Sequence, residues 1–168
     1  MSLDPPKKLQ HQILQLCPVN KSTRILKADQ IHLTLLFLGE QPDSIIPEIA
    51  EALETLHFNS FAIELDDTGH FRSGVIWLGV KHNTALLNLQ KNIAILLQQQ
   101  GISFDHRRFS PHITLARSKR HLKAYLLQQY HQAFHEQRFG FQADKLLLKS
   151  SQLTQQGAIH RIEAEWTP

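Results

Sequence analysis

Two segments eighty positions apart, His32-Leu33-Thr34-Leu35 and His112-Ile113-Thr114-Leu115, share the order His, aliphatic, Thr, Leu. Side chains alternate across an extended strand, so each segment puts its imidazole and hydroxyl on one face and its two aliphatics on the other. A fold that uses both must bury Leu33, Leu35, Ile113 and Leu115 in a core. The opposite face then presents two imidazoles and two hydroxyls. A lone His-x-Thr carries little information in a chain with 11 histidines, because chance supplies about half a match. A second copy with aliphatics at both remaining places is a much rarer event.

The flanking sequence supplies the other elements. Asp4-Pro5 reads as a helix N-cap followed by Pro at the first helical position, with Leu9, Ile13 and Leu16 at helical spacing. Arg24 to Lys27 reads as a short strand, and Ile31 to Leu38, closed by Gly39, as a stronger one. Asp43 or Ser44 caps a helix whose stripe is Ile45, Ile49, Leu53 and Leu56. Ser60 to Leu65 and Val75 to Val80 are predicted strands around a turn-rich 66–74 stretch. Asn83 to Gln100 is a helix through Leu86, Leu89, Ile93 and Leu97, ended by Gly101. Pro111 to Arg117 is a strand, Arg120 to Phe134 a helix, and Gln142 to Ser150 and Ala158 to Trp166 close the chain as strands. This mixture of helices and hairpin-like strand pairs argues for an α+β fold.

At 168 residues, 42% hydrophobic and 20% charged, the chain is sized and composed for one globular domain, 1–168, and is neither disordered nor fibrous. Its longest apolar run, Ile93 to Leu97, is five residues, far below the roughly 20 of a membrane-spanning helix. No export pattern opens the sequence, and the single Cys17 reads as a small buried hydrophobe in a reducing cytoplasm. Charge is polarised although the net is only +3. Glu40 to Asp67 holds eight acids and no Lys or Arg, whereas His106 to Lys123 holds six basic residues and no acid. The basic stretch encloses the second motif, and such an arrangement focuses an anionic ligand toward one side of a molecule.

Paired imidazoles beside hydroxyls suit a particular chemistry. One neutral and one protonated histidine form a general base and general acid near neutral pH. Hydroxyls and a guanidinium hold the oxygens of a phosphate. Together they can open a phosphodiester with no metal and no cofactor. His131 and His135, four apart on a predicted helix, have no third ligand placed to join them.

Four strings complete a resemblance: IHLTLLFLGE (Ile31 to Glu40), FRSGVIWLGV (Phe71 to Val80), RRFSPHITLAR (Arg107 to Arg117) and LLLKSSQLTQQG (Leu146 to Gly157). In this order the chain resembles the 2H phosphoesterase superfamily, in particular the bacterial RNA 2′,3′-cyclic phosphodiesterases, also called LigT-like proteins or 2′-5′ RNA ligases. The resemblance implies a bilobal α+β fold, with two pseudo-symmetric lobes of antiparallel strands and outer helices around a central cleft. It implies His32 as proton donor to the departing ribose oxygen and His112 as proton acceptor from water. Thr34, Thr114 and Arg117 then bind phosphate oxygens, and Phe37 flanks the nucleoside. The implied partners are RNA ends or nucleoside 2′,3′-cyclic phosphates, with no metal and no membrane, and the implied state is a cytoplasmic monomer. Lys119 and Arg120 are expected to meet the backbone of longer RNA. Small cyclic phosphates, 2′-5′ linked oligonucleotides and a non-catalytic RNA-binding role remain alternatives.

Some placements conflict with that resemblance. Phe37 and Arg117 each lie five residues after a motif histidine, so strict alternation puts both on the core face with the aliphatics. A bulge or strand end must re-aim Arg117 if it is to reach a phosphate. Relatives also begin with a hydrophobic strand just before the Asp-x-Pro-like segment; here the chain starts at Met1-Ser2-Leu3, so that strand is expected to be missing. His160 stands where relatives often carry Tyr and is expected to be a surface strand residue.

Overall fold

The two motif strands are neighbours at the middle of one curled antiparallel sheet. The computed structural model describes residues 1–118, 121–154 and 157–168. In chain order the strands are β1 (Ser2–Leu3), β2 (Thr23–Ile25), β3 (Leu33–Thr34), β4 (Phe61–His70), β5 (Val75–Val80), β6 (His112–Ser118), β7 (Gly140–Ala143), β8 (Leu146–Thr154) and β9 (Gly157–Trp166). The helices are α1 (Lys7–Leu16), α2 (Ile45–Ala52), α3 (Thr84–Gln99) and α4 (Ala124–Phe134), with a 3-10 turn at Ala28–Gln30. The sheet runs β7-β4-β5-β6-β3-β1-β8-β9, while β2 pairs with the far end of β6. Four strands therefore lie on each side of the β3/β6 seam, which is the two-lobed plan that the resemblance implies and the α+β class that the element pattern predicts.

The helices cover one face because their stripes are apolar there. Leu86, Leu89, Ile93 and Leu97 of α3 are all buried, and so are Leu126, Tyr130 and Phe134 of α4. The Asn83 carboxamide oxygen accepts from the Leu86 N–H at 3.0 Å and starts α3, while Gly101 ends it at φ 71°. These residues join Leu33, Leu35, Ile113 and Leu115 in one core. Cys17 is buried in it, and burial pushes its thiol up to about 12. Among the described residues no helix is long and apolar enough to cross a membrane.

The structure corrects four boundaries. The N-terminal strand expected to be missing is present as Ser2–Leu3, pairing with β3 on one side and β8 on the other. Two residues are too short a run to be read as a strand, yet Leu3 is fully buried there. Helix α1 starts at Lys7 with Pro6 before it, because Asp4 is drawn to Lys149 instead of capping. The long strand expected from Ile31 to Leu38 is laddered only at Leu33–Thr34. Strand β4 runs through the expected turn to His70, with a register shift between Leu65 and Thr68 absorbing its polar stretch. The predicted start of α4 at Arg120 lies outside the described residues; the helix is seen from Ala124.

Leu33 faces Ile113 across the seam and both are fully buried. Leu33→Ala and Ile113→Ala should each cost about 2–5 kcal/mol in urea unfolding. Because they are neighbours, the double variant should depart from the sum of the two. Additive losses within about 0.3 kcal/mol would show that the seam is not a coupled unit.

Candidate functional site

The pairing of Leu33 with Ile113 fixes the groove by arithmetic. In an antiparallel ladder of that register, His32 lies across from Thr114 and Thr34 across from His112. All four are on the face opposite the buried aliphatics and are partly exposed. Directly opposed side chains have Cβ atoms about 4.5–5.5 Å apart. The two His–Thr pairs thus form one compact square with a histidine at each end of one diagonal.

Both motifs then break alternation in the same way. Leu35 and Leu36 are consecutive buried residues, and both of their N–H groups point to the Met1 carbonyl, at 2.9 and 3.4 Å. Leu115 and Ala116 are likewise both buried. Across β6, Trp77 pairs with Thr114 and Ile76 with Ala116, so Leu115 is an extra residue. Each bulge flips the parity of the residues beyond it. Phe37 leaves the core, 57% exposed, and Arg117 turns out beside Thr114's face, opposite Val75 and Arg24. The core placement that alternation gave for Phe37 and Arg117 is therefore wrong, and one irregularity repeated in both lobes is the reason.

The two histidines are electrostatically unlike. His112 Nδ1 lies 2.6 Å from the Ser110 carbonyl. A carbonyl can only accept, so Nδ1 carries the proton and Nε2 is left as a bare acceptor in the neutral ring. Burial lowers the His112 pKa; the Ser110 bond opposes this and the Arg117 charge adds to it. His32 Nδ1 is buried with no hydrogen-bond partner, although the Gln30 backbone, two residues back as Ser110 is from His112, favours its charged form. Burial first, then Lys149 and His160, push His32 from the ordinary 6.5 down to about 3.

Sequence reasoning missed the groups around this square. Lys149 of β8 is nearly buried and bonds Asp4 at 2.5 Å, and Ser2 Oγ donates to the same carboxylate at 3.3 Å. The His160 ring meets His32 edge-on at 4.9 Å and its Nδ1 pairs with Ser151 Oγ at 2.8 Å, so it is a wall of the groove instead of a surface residue. On the other side, Phe71 lies edge-on to His112 at 5.0 Å, and Trp77 lies tilted to it at 6.1 Å. Trp77 sits over Gly69, where an added Cβ would come 2.2 Å from the indole. The signals available for Trp77 and Lys149 were their places in the FRSGVIWLGV and LLLKSSQLTQQG strings; the pairing of Lys149 with Asp4 across 145 residues has no local signature.

Elsewhere, His131 Nδ1 bonds Asp67. Among the described residues no three of His, Cys, Asp and Glu are grouped to hold an ion. Lys119 and Arg120 lie outside the described residues.

Residues 5–152 match the 2′-5′ RNA ligase superfamily. The chain is 32% identical over 145 residues to an RNA 2′,3′-cyclic phosphodiesterase of Aeropyrum pernix, covering 82% of each. It is 31% identical over 121 residues to the protein of that name in Escherichia coli K12, covering 69% of each. The crystal structure of E. coli LigT in apo form superposes with a TM-score of 0.81, covering 99% of this chain and 94% of LigT at 23% identity, a likeness of fold.

The tautomer is open to measurement. Nitrogen-resolved NMR at pH 7 should find His112 protonated at Nδ1 and bare at Nε2, with a midpoint below 6.5. The Arg117 cation disfavours the imidazolium, so Arg117→Ala should move that midpoint up. A proton on Nε2, or a midpoint that does not rise, would remove this account of the ring.

Proposed function

The chain belongs to the 2′-5′ RNA ligase superfamily, and we propose that it hydrolyses RNA-terminal 2′,3′-cyclic phosphate to a 2′-phosphomonoester. The observation that carries this reading is the square of two histidines and two threonines across β3 and β6. Relatives of about 30% identity that bear the name RNA 2′,3′-cyclic phosphodiesterase support it.

In the proposed mechanism His112 Nε2 takes a proton from water as the oxygen attacks phosphorus. The bond from phosphorus to the 3′ oxygen breaks, and His32 gives that oxygen its proton. In-line displacement requires base and acid on opposite sides of the phosphate, and the diagonal of the square supports that division. Thr34, Thr114 and Arg117 hold the nonbridging oxygens as charge develops. Exposed Phe37 offers the nucleoside a stacking face. Protons move through imidazoles and the cation is a guanidinium, so the chemistry asks for no ion.

The depressed His32 pKa adds a condition. A ring at about 3 is neutral in the empty groove at pH 7, whereas an acid must enter the reaction charged. A bound phosphate anion favours the imidazolium, so substrate raises the His32 pKa and supplies the charge that holds the proton.

Turnover of a nucleoside 2′,3′-cyclic phosphate, with product identification, is the direct test and separates an enzyme from a binding module. A 2′-phosphate is expected; a 3′-phosphate would reverse the histidine roles, and no hydrolysis would end the reading. His32→Ala and His112→Ala should each lose at least about 10²-fold, the pair little more. A substrate with an activated leaving group should rescue only His32→Ala. Activity should survive excess EDTA.

Arg117→Ala should cost about 2–3 kcal/mol in kcat/KM on a mononucleotide. The pH profile separates the free from the loaded site. The alkaline limb of kcat/KM should fall below pH 6.5, since both free histidines are depressed. That of kcat should lie higher, because bound phosphate raises His32. Superposable profiles would contradict charging by substrate.

A further inference from the structure

Arg24 stands directly across from Arg117 in the β2/β6 ladder. Like charges directly opposed on adjacent strands destabilise a sheet. Among the described residues neither guanidinium is paired with a carboxylate, and both are exposed on the groove face. The bulge at Leu115 is what brings Arg117 to that face, so the sheet departs from regular pairing to set two cations side by side.

The Arg24 guanidinium has a defined seat. An added Cβ on Gly157 would come 2.9 Å from Arg24 Nη1 and 2.9 Å from Gln30 Nε2. The guanidinium thus lies in the space left by the missing side chain, at the start of β9. Gln30 Nε2 donates to the Ala158 carbonyl at 2.7 Å and holds β9 against this end of the groove. The end lies beyond Thr114, away from Phe37. Val75, which pairs with Arg117, is two residues from Trp77, which pairs with Thr114, about 7 Å along the strand. Arg117 acts electrostatically on His112, whereas Arg24 is not among the charges acting on His32, His112 or His160. Arg117 thus acts on the square, whereas Arg24 is seated against the start of β9.

We propose that Arg24 is a specificity-determining residue carrying a second anion subsite, which takes a further phosphate of an oligonucleotide whose reacting phosphate lies between the histidines. This rests on the reading of the square as a nucleotide-phosphate site. The second phosphate has two possible sources with the same chemistry: the 5′-phosphate of the nucleotide that carries the reacting group, or a phosphate on a nucleotide joined beyond it.

Calorimetric titration of the whole protein distinguishes these. One pair of ligands is adenosine 2′-monophosphate and adenosine 2′,5′-bisphosphate. The other is the 2′-5′ linked adenosine dinucleotide with and without a terminal 3′-phosphate. In the wild type the added phosphate of one pair should tighten binding about tenfold, and that pair identifies the source. Arg24→Ala should bring the gain to within about twofold and reduce the slope of log affinity against log salt by about one. Arg24→Lys should keep part of the gain, and affinity for the monophosphate should be unchanged in both variants. A gain that survives Arg24→Ala, a wild type with no gain in either pair, or an equal loss for mono- and bisphosphate would overturn the subsite. These titrations need no turnover. A protein that discriminates the ligands but leaves cyclic phosphate intact keeps the subsite and loses the hydrolytic reading; one that hydrolyses without discriminating does the reverse.

Discussion

Everything in the groove depends on the register of β3 against β6. The ladder between them is short, with Leu33 opposite Ile113, yet that pair decides which four polar side chains share a face. A slip of one residue would turn His32 and Thr34 into the core and the leucines into the groove. The penalty for such a slip is large because both aliphatics are fully buried among the helices. Apolar burial on one side of the sheet thus sets the geometry of the polar groups on the other. Strand β1 adds to this from beyond the seam. It pairs with β3 through Ser2 and Leu3, and the Met1 carbonyl collects the two N–H groups of the bulge.

Alternation made the square legible in the sequence, since a period of two needs no knowledge of neighbours. The residues just beyond the square are not legible in that way. Leu35-Leu36 and Leu115-Ala116 read as continuous strand, and no residue in them marks a bulge as a glycine would. The irregularity is imposed by partners: the Met1 carbonyl for one, the β5 register for the other. The same limit applies to Asp4. Its sequence context is that of a helix cap, but a lysine 145 residues away competes for the carboxylate and wins. A nearly buried ion pair of this kind is costly to break from one side, which accounts for the cap being given up. His160 escapes sequence reasoning for a related reason: its strand is an edge strand by order, yet the curl of the sheet carries it over His32.

The electrostatics of the groove favour anions in two separate ways. Burial holds both rings toward neutrality, and the positive charges of Lys149 near His32 and Arg117 near His112 add to it. A neutral imidazole can accept a proton, so an empty groove is a site of bases facing fixed cations. In the proposed mechanism an incoming phosphate opposes this at His32, because its negative charge favours the imidazolium there while His112 stays the neutral base. Binding and protonation are therefore coupled with a definite sign, and the coupling needs no movement of the backbone.

The frame is symmetric, and its surroundings are not. Four strands flank the seam on each side, each lobe contributes a His-x-Thr, and each bulges after the fourth motif residue or at it. Two identical environments would give two histidines of equal basicity, which is a poor arrangement for a reaction needing one base and one acid. The differences lie in side chains and backbone just outside the repeat. His112 has a short bond to the Ser110 carbonyl that fixes its tautomer, whereas the Gln30 backbone in the equivalent place favours the His32 imidazolium without closing a hydrogen bond at the buried Nδ1, and a second imidazole lies against the His32 ring. Five residues after the histidines one lobe presents an aromatic ring and the other a guanidinium. The repeated backbone positions equivalent groups, and in the proposed mechanism the unrepeated residues divide the labour between nucleoside and phosphate, and between proton acceptor and proton donor.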